Sequence, residues 1–272
     1  RDAPRLAALT MIDAPATLSV DVQLDGLRIP SMALARLRLG QGAIDLGPRG
    51  RIPLLGFEAD LTLDEATLRL ERAVLRPAPP SVLRAAAAAP TITARAEARR
   101  VADVWQAEAH LGVDQVAVAD LGHYWPEGIA KGAREWITEN LTDAIARDGQ
   151  WQVTARWDPA AGGPPRLDGM TGTLAAEGLE VHWLRPIPPA VNANATVRFG
   201  LDTVDVEIAG GNQSGGNFLV RGGKVHIDLS TDPETTEMEF PVGGPAADVW
   251  ALLRQPRLGL FSSRPPPVDT MT

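Results

Sequence analysis

"TVRFGLDTVDVEIAGG", residues 196–211, decides how this chain folds. Val197, Phe199 and Leu201 are apolar, with Arg198 and Gly200 between them. After Asp202-Thr203 the pattern resumes: Val204, Val206 and Ile208, separated by Asp205 and Glu207. Alternation with period 2 puts successive side chains on opposite faces of an extended strand, so this reads as strand, turn and strand. Each strand has one wet face and one apolar face. What the apolar face touches is the question the rest of the chain must answer.

The same unit recurs on both sides. Upstream, Leu18, Val20, Val22 and Leu24 alternate with Ser19, Asp21 and Gln23, and Leu37 and Leu39 with Arg36 and Arg38. Ile44 and Leu46 follow the turn residues "GQG"; Ala59, Leu61 and Leu63, then Leu68 and Leu70, continue the pattern. Residues 77–90, "PAPPSVLRAAAAAP", interrupt it, because proline cannot donate to a ladder. Strand-like runs return at 91–98 and 104–118. Downstream, Trp151, Val153, Ala155 and Trp157 alternate with Gln152, Thr154 and Arg156, and Leu179, Val181 and Trp183 form a further face. Val225, Ile227 and Leu229 follow "RGG", and Met238, Phe240 and Val242 follow "STDPET". The count is roughly 14 to 18 strands, joined in sequence by short turns, which favours an antiparallel meander.

Two helices break the series. Over 126–146, Pro126 suits the first helical position and Glu127 the positive end of the dipole. Ile129, Ala133, Trp136, Ile137, Leu141, Ala144 and Ile145 form a stripe at helical spacing. Ile129, Trp136, Ile137 and Leu141 are expected to lie against the sheet. A shorter helix is expected near 245–254, begun at Pro245 and stopped by Pro256. The expected organisation is a β segment over 1–76, a Pro/Ala-rich linker or insertion over 77–90, a second β segment over 91–262 and a Pro-rich tail over 263–272.

Composition bounds the function. The chain has 272 residues, 44% of them hydrophobic and 22% charged, so it is globular rather than disordered. A net charge of −8 gives no basic stripe for nucleic acid, so no nucleic-acid partner is expected. There is no cysteine, which excludes thiolate metal sites, disulfides and cysteine nucleophiles. The absence of cysteine suits an oxidising compartment and is equally legal in the cytosol. The start at Arg1 reads as part of a longer protein.

Catalytic chemistry is hard to find. His110, His123, His182 and His226 have no metal-ligand spacing between them, and neither HExxH nor GxSxG occurs. His123, beside Tyr124 and Trp125, reads as a packing residue rather than a base. "GGNQSGG", 210–216, lacks the Lys-Ser/Thr ending of a phosphate loop and reads as a strand connection. Asp13, Asp21 and Asp25, or Asp202 and Asp205, fall on wet faces of strands, where surface charge explains them better than acid–base work. No enzyme, cofactor or metal is expected. Seven tryptophans against one tyrosine fill a core or line an apolar cleft.

The stretch "LGHYWPEGIAKGAREWITENLTD", 121–143, resembles the turn and helix of the bacterial AsmA-like superfamily, in its YhdP-type branch. Tyr124-Trp125-Pro126, Ala133-Arg134, Trp136 and "ENL" carry the likeness. "GLEVHWLRPIPPAVNANATVRFG" is similar to that family's strand, Pro-Pro step and next strand, and "GGPAADVWALLRQPRLGL" to its short-helix element. The likeness covers about 120–260 well and 15–75 in style. The family places a glycine soon after "ENL"; here Ala144, Ile145 and Ala146 stand instead, so the helix is expected to end near Gly149.

The resemblance implies a periplasmic part of an inner-membrane-anchored protein, whose long twisted sheet forms an open, apolar-lined, taco-like groove. Its implied partners are phospholipid acyl chains, and membrane or envelope proteins on either side. Its implied role is carrying lipids between the inner and outer membranes. Expected groove residues are Trp151, Val153, Trp157, Val197, Phe199, Val204, Val206, Ile208, Val225, Ile227, Met238 and Phe240. The alternative is a non-catalytic structural or assembly module, a sandwich or solenoid whose edges bind envelope proteins. A carbohydrate-active β-rich enzyme is a third reading, and it lacks a catalytic set.

Overall fold

Strands dominate: they hold 65% of the described residues, in antiparallel pairings, as the alternation requires. The computed structural model describes residues 11–25, 29–45, 47, 50–64, 66–80, 89–125, 131–161, 163–182, 188–213, 219–220, 222–231 and 235–261. Two compact units are present. Unit 1 comprises 1–116, 120–131 and 147–173; unit 2 comprises 117–119, 132–146 and 174–272. The expected break at 77–90 falls inside unit 1, where the strands on either side of it pair with each other. Residues 81–88 and the tail 263–272 lie outside the described residues.

Unit 1 begins with β1 (Ile12–Asp13), β2 (Ala16–Asp25), β3 (Ile29–Leu39), β4 (Gly42–Asp45), β5 (Arg51–Asp64) and β6 (Thr67–Pro77). β7 (Ile92–Val101) and β8 (Val104–Ala117) follow. β2 pairs with β3, β3 with β5, β5 with β6, β6 with β7 and β7 with β8. β1 pairs with β4, and β4 with the first residues of β5. β1 and β2 are thus one long strand broken at Ala14-Pro15, and β3 and β4 another broken at Gly40-Gln41. β5 runs through the same level with a register shift between Leu54 and Gly56. The breaks are tied across the sheet, since the Gly40 N–H donates to the Pro15 carbonyl at 2.8 Å. A Cβ on Gly42 would collide with the backbone of Asp13 and Ala14, so this crease needs glycine. The core of unit 1 gathers here: Leu54 is 0% exposed, and Leu39, Ala43 and Pro77 are buried with it.

After β8 comes a four-residue helix, α1 (Leu121–Tyr124). His123 Nε2 lies 3.0 Å from the Ala78 carbonyl and its ring meets Tyr124 edge-on, the packing role expected of it. α2 (Lys131–Asn140) is the expected amphipathic helix, but it stops earlier than the stripe suggested. Leu141–Thr142 is already a strand, β9, and Ile145 opens β10 (Ile145–Trp157). Leu141 and Thr142 pair with Val181 and Glu180 instead of extending the helical stripe. Asp143 then takes a left-handed φ of 51°, a conformation that Asp tolerates, between β9 and β10. Ile137 is half-buried. Ile129 and the side chain of Trp136 lie outside what is described.

Unit 2 continues with β11 (Arg166–Val181), whose last residues pair with β9. β12 (Ala190–Phe199), β13 (Thr203–Ile208), β14 (Asn212–Gln213), β15 (Leu219–Val220), β16 (Gly223–Asp228), β17 (Thr235–Glu239) and β18 (Val242–Gly243) follow. A crease recurs. One ladder runs β12–β13–β16–β17 and a second β12–β14–β15–β18. Gly210 and Gly211 break the β13–β14 strand at φ 94° and 151°, Gly222 breaks β15–β16 at 130°, and Asn192 turns within β12 at 55°. The buried residues Ala193, Ala195, Ala176 and Leu179 cluster along this line. α3 (Ala246–Leu253), preceded by Pro245, is the expected second helix, and Trp250 packs edge-on against Phe261 at 5.6 Å.

Candidate functional site

The opening hairpin forms as read. Val197 faces Val206, Phe199 faces Val204 and Ala195 faces Ile208. The next strand extends each row, with Val225 beside Val206 and Ile227 beside Val204. Met238 then lies beside Val225 and is 55% exposed. Phe240 turns its ring over Gly223, where a Cβ would collide with it; an aromatic covers a strand glycine in this way when no side chain can. Nine of the expected groove residues thus meet on one face of unit 2. Trp151, Val153 and Trp157 belong to β10 in unit 1. A side chain at Gly172 would strike the Trp151 indole, and Trp157 Nε1 donates to the Gly163 carbonyl at 3.0 Å, so its ring is held at a turn.

Unit 1 carries a larger apolar face, built from residues outside the expected groove set. Its cross-strand rows are Leu18–Leu37–Ala59–Ala73–Ala94–Leu111, Val20–Ala35–Leu61–Leu70–Ala96–Ala109 and Val22–Ala33–Leu63–Leu68–Ala98–Ala107. Every position is apolar over six strands. At about 4.8 Å per strand and about 6.8 Å per row, that is a floor of roughly 24 by 14 Å. It is open along β2, where Leu18, Val20, Val22 and Leu24 are 63%, 53%, 50% and 62% exposed, and closed at Ala59 and Ala73, which are buried. The signal was the same alternation. What hid it was alanine, which fills β7 and β8 on this face and marks no hydrophobic stripe in a reading by bulk.

The opposite faces are laced by charge. In unit 1, Arg69 Nε meets Glu97 Oε2 at 2.9 Å, Arg99 reaches the same carboxylate, and Arg156 forks onto Asp168 at 2.6 and 2.9 Å. The Arg69 hydrogen bond holds the Glu97 carboxyl below the usual carboxylate range, and Arg156 does the same for Asp168. Glu97 and Glu108 face each other across the strands, a repulsion offset by the arginines on one side and by Gln152 and His110 on the other. An open recess of about 950 Å³ lies among these groups, lined by Arg69, Arg95, Glu97, Glu108, Arg156 and Asp168. Leu70, Ala96, Val101 and Ala107 line the same recess, so charge and apolar surface meet there.

In unit 2, His226 Nδ1 lies 2.6 Å from Asp205 Oδ1 on the neighbouring strand. That hydrogen bond, helped by the charges of Asp205, Glu237 and Asp228, raises the imidazole above its ordinary range. Because the folded-state value exceeds the unfolded one, the contact contributes fully at pH below the ordinary histidine range. The contribution is lost as pH rises through the folded value. An NMR titration is expected to give His226 a higher midpoint in the wild type than in Asp205→Asn. Equal midpoints would show that the contact does nothing in solution.

The other histidines are similarly tied to neighbours: His110 to Glu108 at 3.2 Å and His182 to Glu180 at 3.0 Å. Among the described residues, no group of three His, Cys, Asp or Glu side chains could hold a metal, and no helix is long and apolar enough to cross a membrane. Asn212–Gln213, inside the glycine-rich stretch, pairs with Val191 and Ala190 as a strand. Compared with protein-family models, curated proteins and solved structures, the chain matches none.

Proposed function

We propose that this chain is a carrier surface that shields phospholipid acyl chains on its apolar sheet faces, without catalysis. The observation that supports the reading is the uninterrupted apolar floor of unit 1, half-exposed where a second protein layer would otherwise cover it. At roughly 340 Å² the floor is the size of the largest apolar patch on an ordinary soluble domain, and such patches often mark binding sites. A flat row of Val, Leu and Ala suits an acyl chain because transfer from water is non-directional and needs no fixed polar anchor. Each shielded methylene is worth about 0.8 kcal/mol, so half-covering a sixteen-carbon chain yields about 6 kcal/mol. The charged opposite faces would keep such a surface in water. A periplasmic setting, an inner-membrane-anchored parent and traffic between the two membranes belong to the same proposal and rest on the AsmA-like resemblance alone.

Native mass spectrometry of protein purified without detergent tests it. Phospholipid-sized adducts that disappear on delipidation and return with phospholipid vesicles are expected. Protein that never carries lipid would overturn the reading and favour the structural-module alternative.

A further inference from the structure

We infer that a bulge in β6 builds a binding site for a small phosphate monoester that carries a primary ammonium, with Arg72 and Arg95 taking the phosphate and Glu71 the ammonium. This does not depend on the lipid reading. β6 has one residue too many for both of its neighbours. Against β5, Arg72 pairs with Asp60 and Leu70 with Leu61, so Glu71 between them has no partner. Against β7, Leu70 pairs with Ala96 and Ala73 with Ala94, so Glu71 and Arg72 stand together opposite Arg95. The floor rows on the other face run straight past the insertion, through Leu70 and Ala73. The extra residue therefore serves the charged face, where it gathers two charged side chains opposite a third. Bulges re-aim side chains in this way beside binding sites. Glu71 and Arg95 both line the recess of unit 1.

Charge chooses the ligand. Elsewhere in the recess the charged groups are matched by contact: Arg69 and Arg99 hold Glu97, Arg156 forks onto Asp168, and Gln152 and His110 meet Glu108. Among the described residues, Glu71, Arg72 and Arg95 have no hydrogen bond and no ion pair. Asp60, the cross-strand neighbour of Arg72, lies 3.9 Å from Arg36 instead, and Glu71 acts on Arg69 only through its charge. Two guanidinium groups facing each other across strands repel. His110, opposite Arg95 on β8, adds a third cation when protonated. An oxyanion between Arg72 and Arg95 turns that repulsion into two charge-assisted contacts. One guanidinium fork fills both oxygens of a carboxylate, so two forks call for the three terminal oxygens of a phosphate monoester. Glu71 repels a bare anion. An ammonium on the same ligand makes that carboxylate a partner, so the acid in the cluster selects a zwitterion over simple phosphate.

Isothermal titration calorimetry of the full chain with O-phosphoethanolamine tests this. The zwitterion is expected to bind at least ~5-fold more tightly than methyl phosphate, which lacks the ammonium. Arg95→Gln is expected to weaken both by at least ~10-fold and, without ligand, to melt at or above the wild type, because a like-charged neighbour is gone. Glu71→Gln is expected to abolish the preference, leaving the two probes equal. Glycerophosphoethanolamine, a diester with the same ammonium and one terminal oxygen fewer, is expected to bind more weakly than the monoester. The inference is overturned if O-phosphoethanolamine does not bind at millimolar concentration, if Arg95→Gln binds it as tightly as the wild type, or if Glu71→Gln keeps the preference. Equal binding of the diester would also overturn it, by placing a lipid headgroup or another diester at this site.

Discussion

Val206→Asp is expected to remove the share of co-purifying phospholipid held on unit 2 while the protein remains folded. Val206 stands in the row Val197–Val206–Val225–Met238, half-buried, with the end of that row more than half exposed. With no lipid present, a carboxylate there reaches water by leaning off the face, and the cost to folding is about 1 kcal/mol. Beneath an acyl chain the same carboxylate is stripped of water with no partner, at a cost of several kcal/mol. That difference is enough to lose the adduct. Glu207→Lys on the opposite face removes a 2.9 Å pair with Arg198, an exposed ion pair worth at most about 1 kcal/mol, and should leave both lipid and stability nearly unchanged. Thermal melting and native mass spectrometry of the two variants check this. If Val206→Asp unfolds the protein, this face is a closed core and unit 2 drops out of the carrier reading.

The largest effect on stability is expected at Leu54→Ala, about 3–4 kcal/mol in denaturant unfolding of unit 1. Leu54 is fully buried where β4, β5 and β6 meet, facing Gly42 on one side and Pro77 on the other. Removing its isobutyl group leaves a cavity that bent backbones on either side cannot collapse into. Val20→Ala, on the exposed floor of the same unit, should cost less than about 1 kcal/mol, because little of its area leaves water on folding. Equal costs at the two sites would mean that the floor is covered in solution.

The alternation announced the strands and their faces almost everywhere, because burial on one side of a pleated sheet writes itself into every second residue. The hairpin at 196–211, with Val197 opposite Val206 and Phe199 opposite Val204, follows from that rule and the turn at Asp202-Thr203. Periodicity was silent on pairing at a distance. β13 skips the β14–β15 hairpin to pair with β16, and the cause lies in the φ values of Gly210, Gly211 and Gly222 rather than in any hydrophobic pattern. The end of α2 was misjudged for a related reason. Ala144 and Ile145 continue a helical stripe, but the chain has already left the helix at Asn140, where Leu141 and Thr142 pair with Val181 and Glu180, and a left-handed Asp143 leads on to β10. The floor of unit 1 was legible in Leu18, Leu61 and Leu70, and obscured where Ala94, Ala96, Ala98, Ala107 and Ala109 carry the same face without bulk.

The creases divide each unit's sheet into two panels. Within a panel, neighbouring strands are fastened by a continuous ladder, so the panel resists shear and splay. Across a crease, the broken strands are linked by covalent chain at Ala14-Pro15, Gly40-Gln41, Gly210-Gly211 and Gly222, and in unit 1 the line is braced by β5, which runs through it pairing with both β3 and β4, and by the Gly40–Pro15 hydrogen bond. The buried leucines and alanines lie along the same line, so the best-packed part of each sheet is also the part where its strands bend.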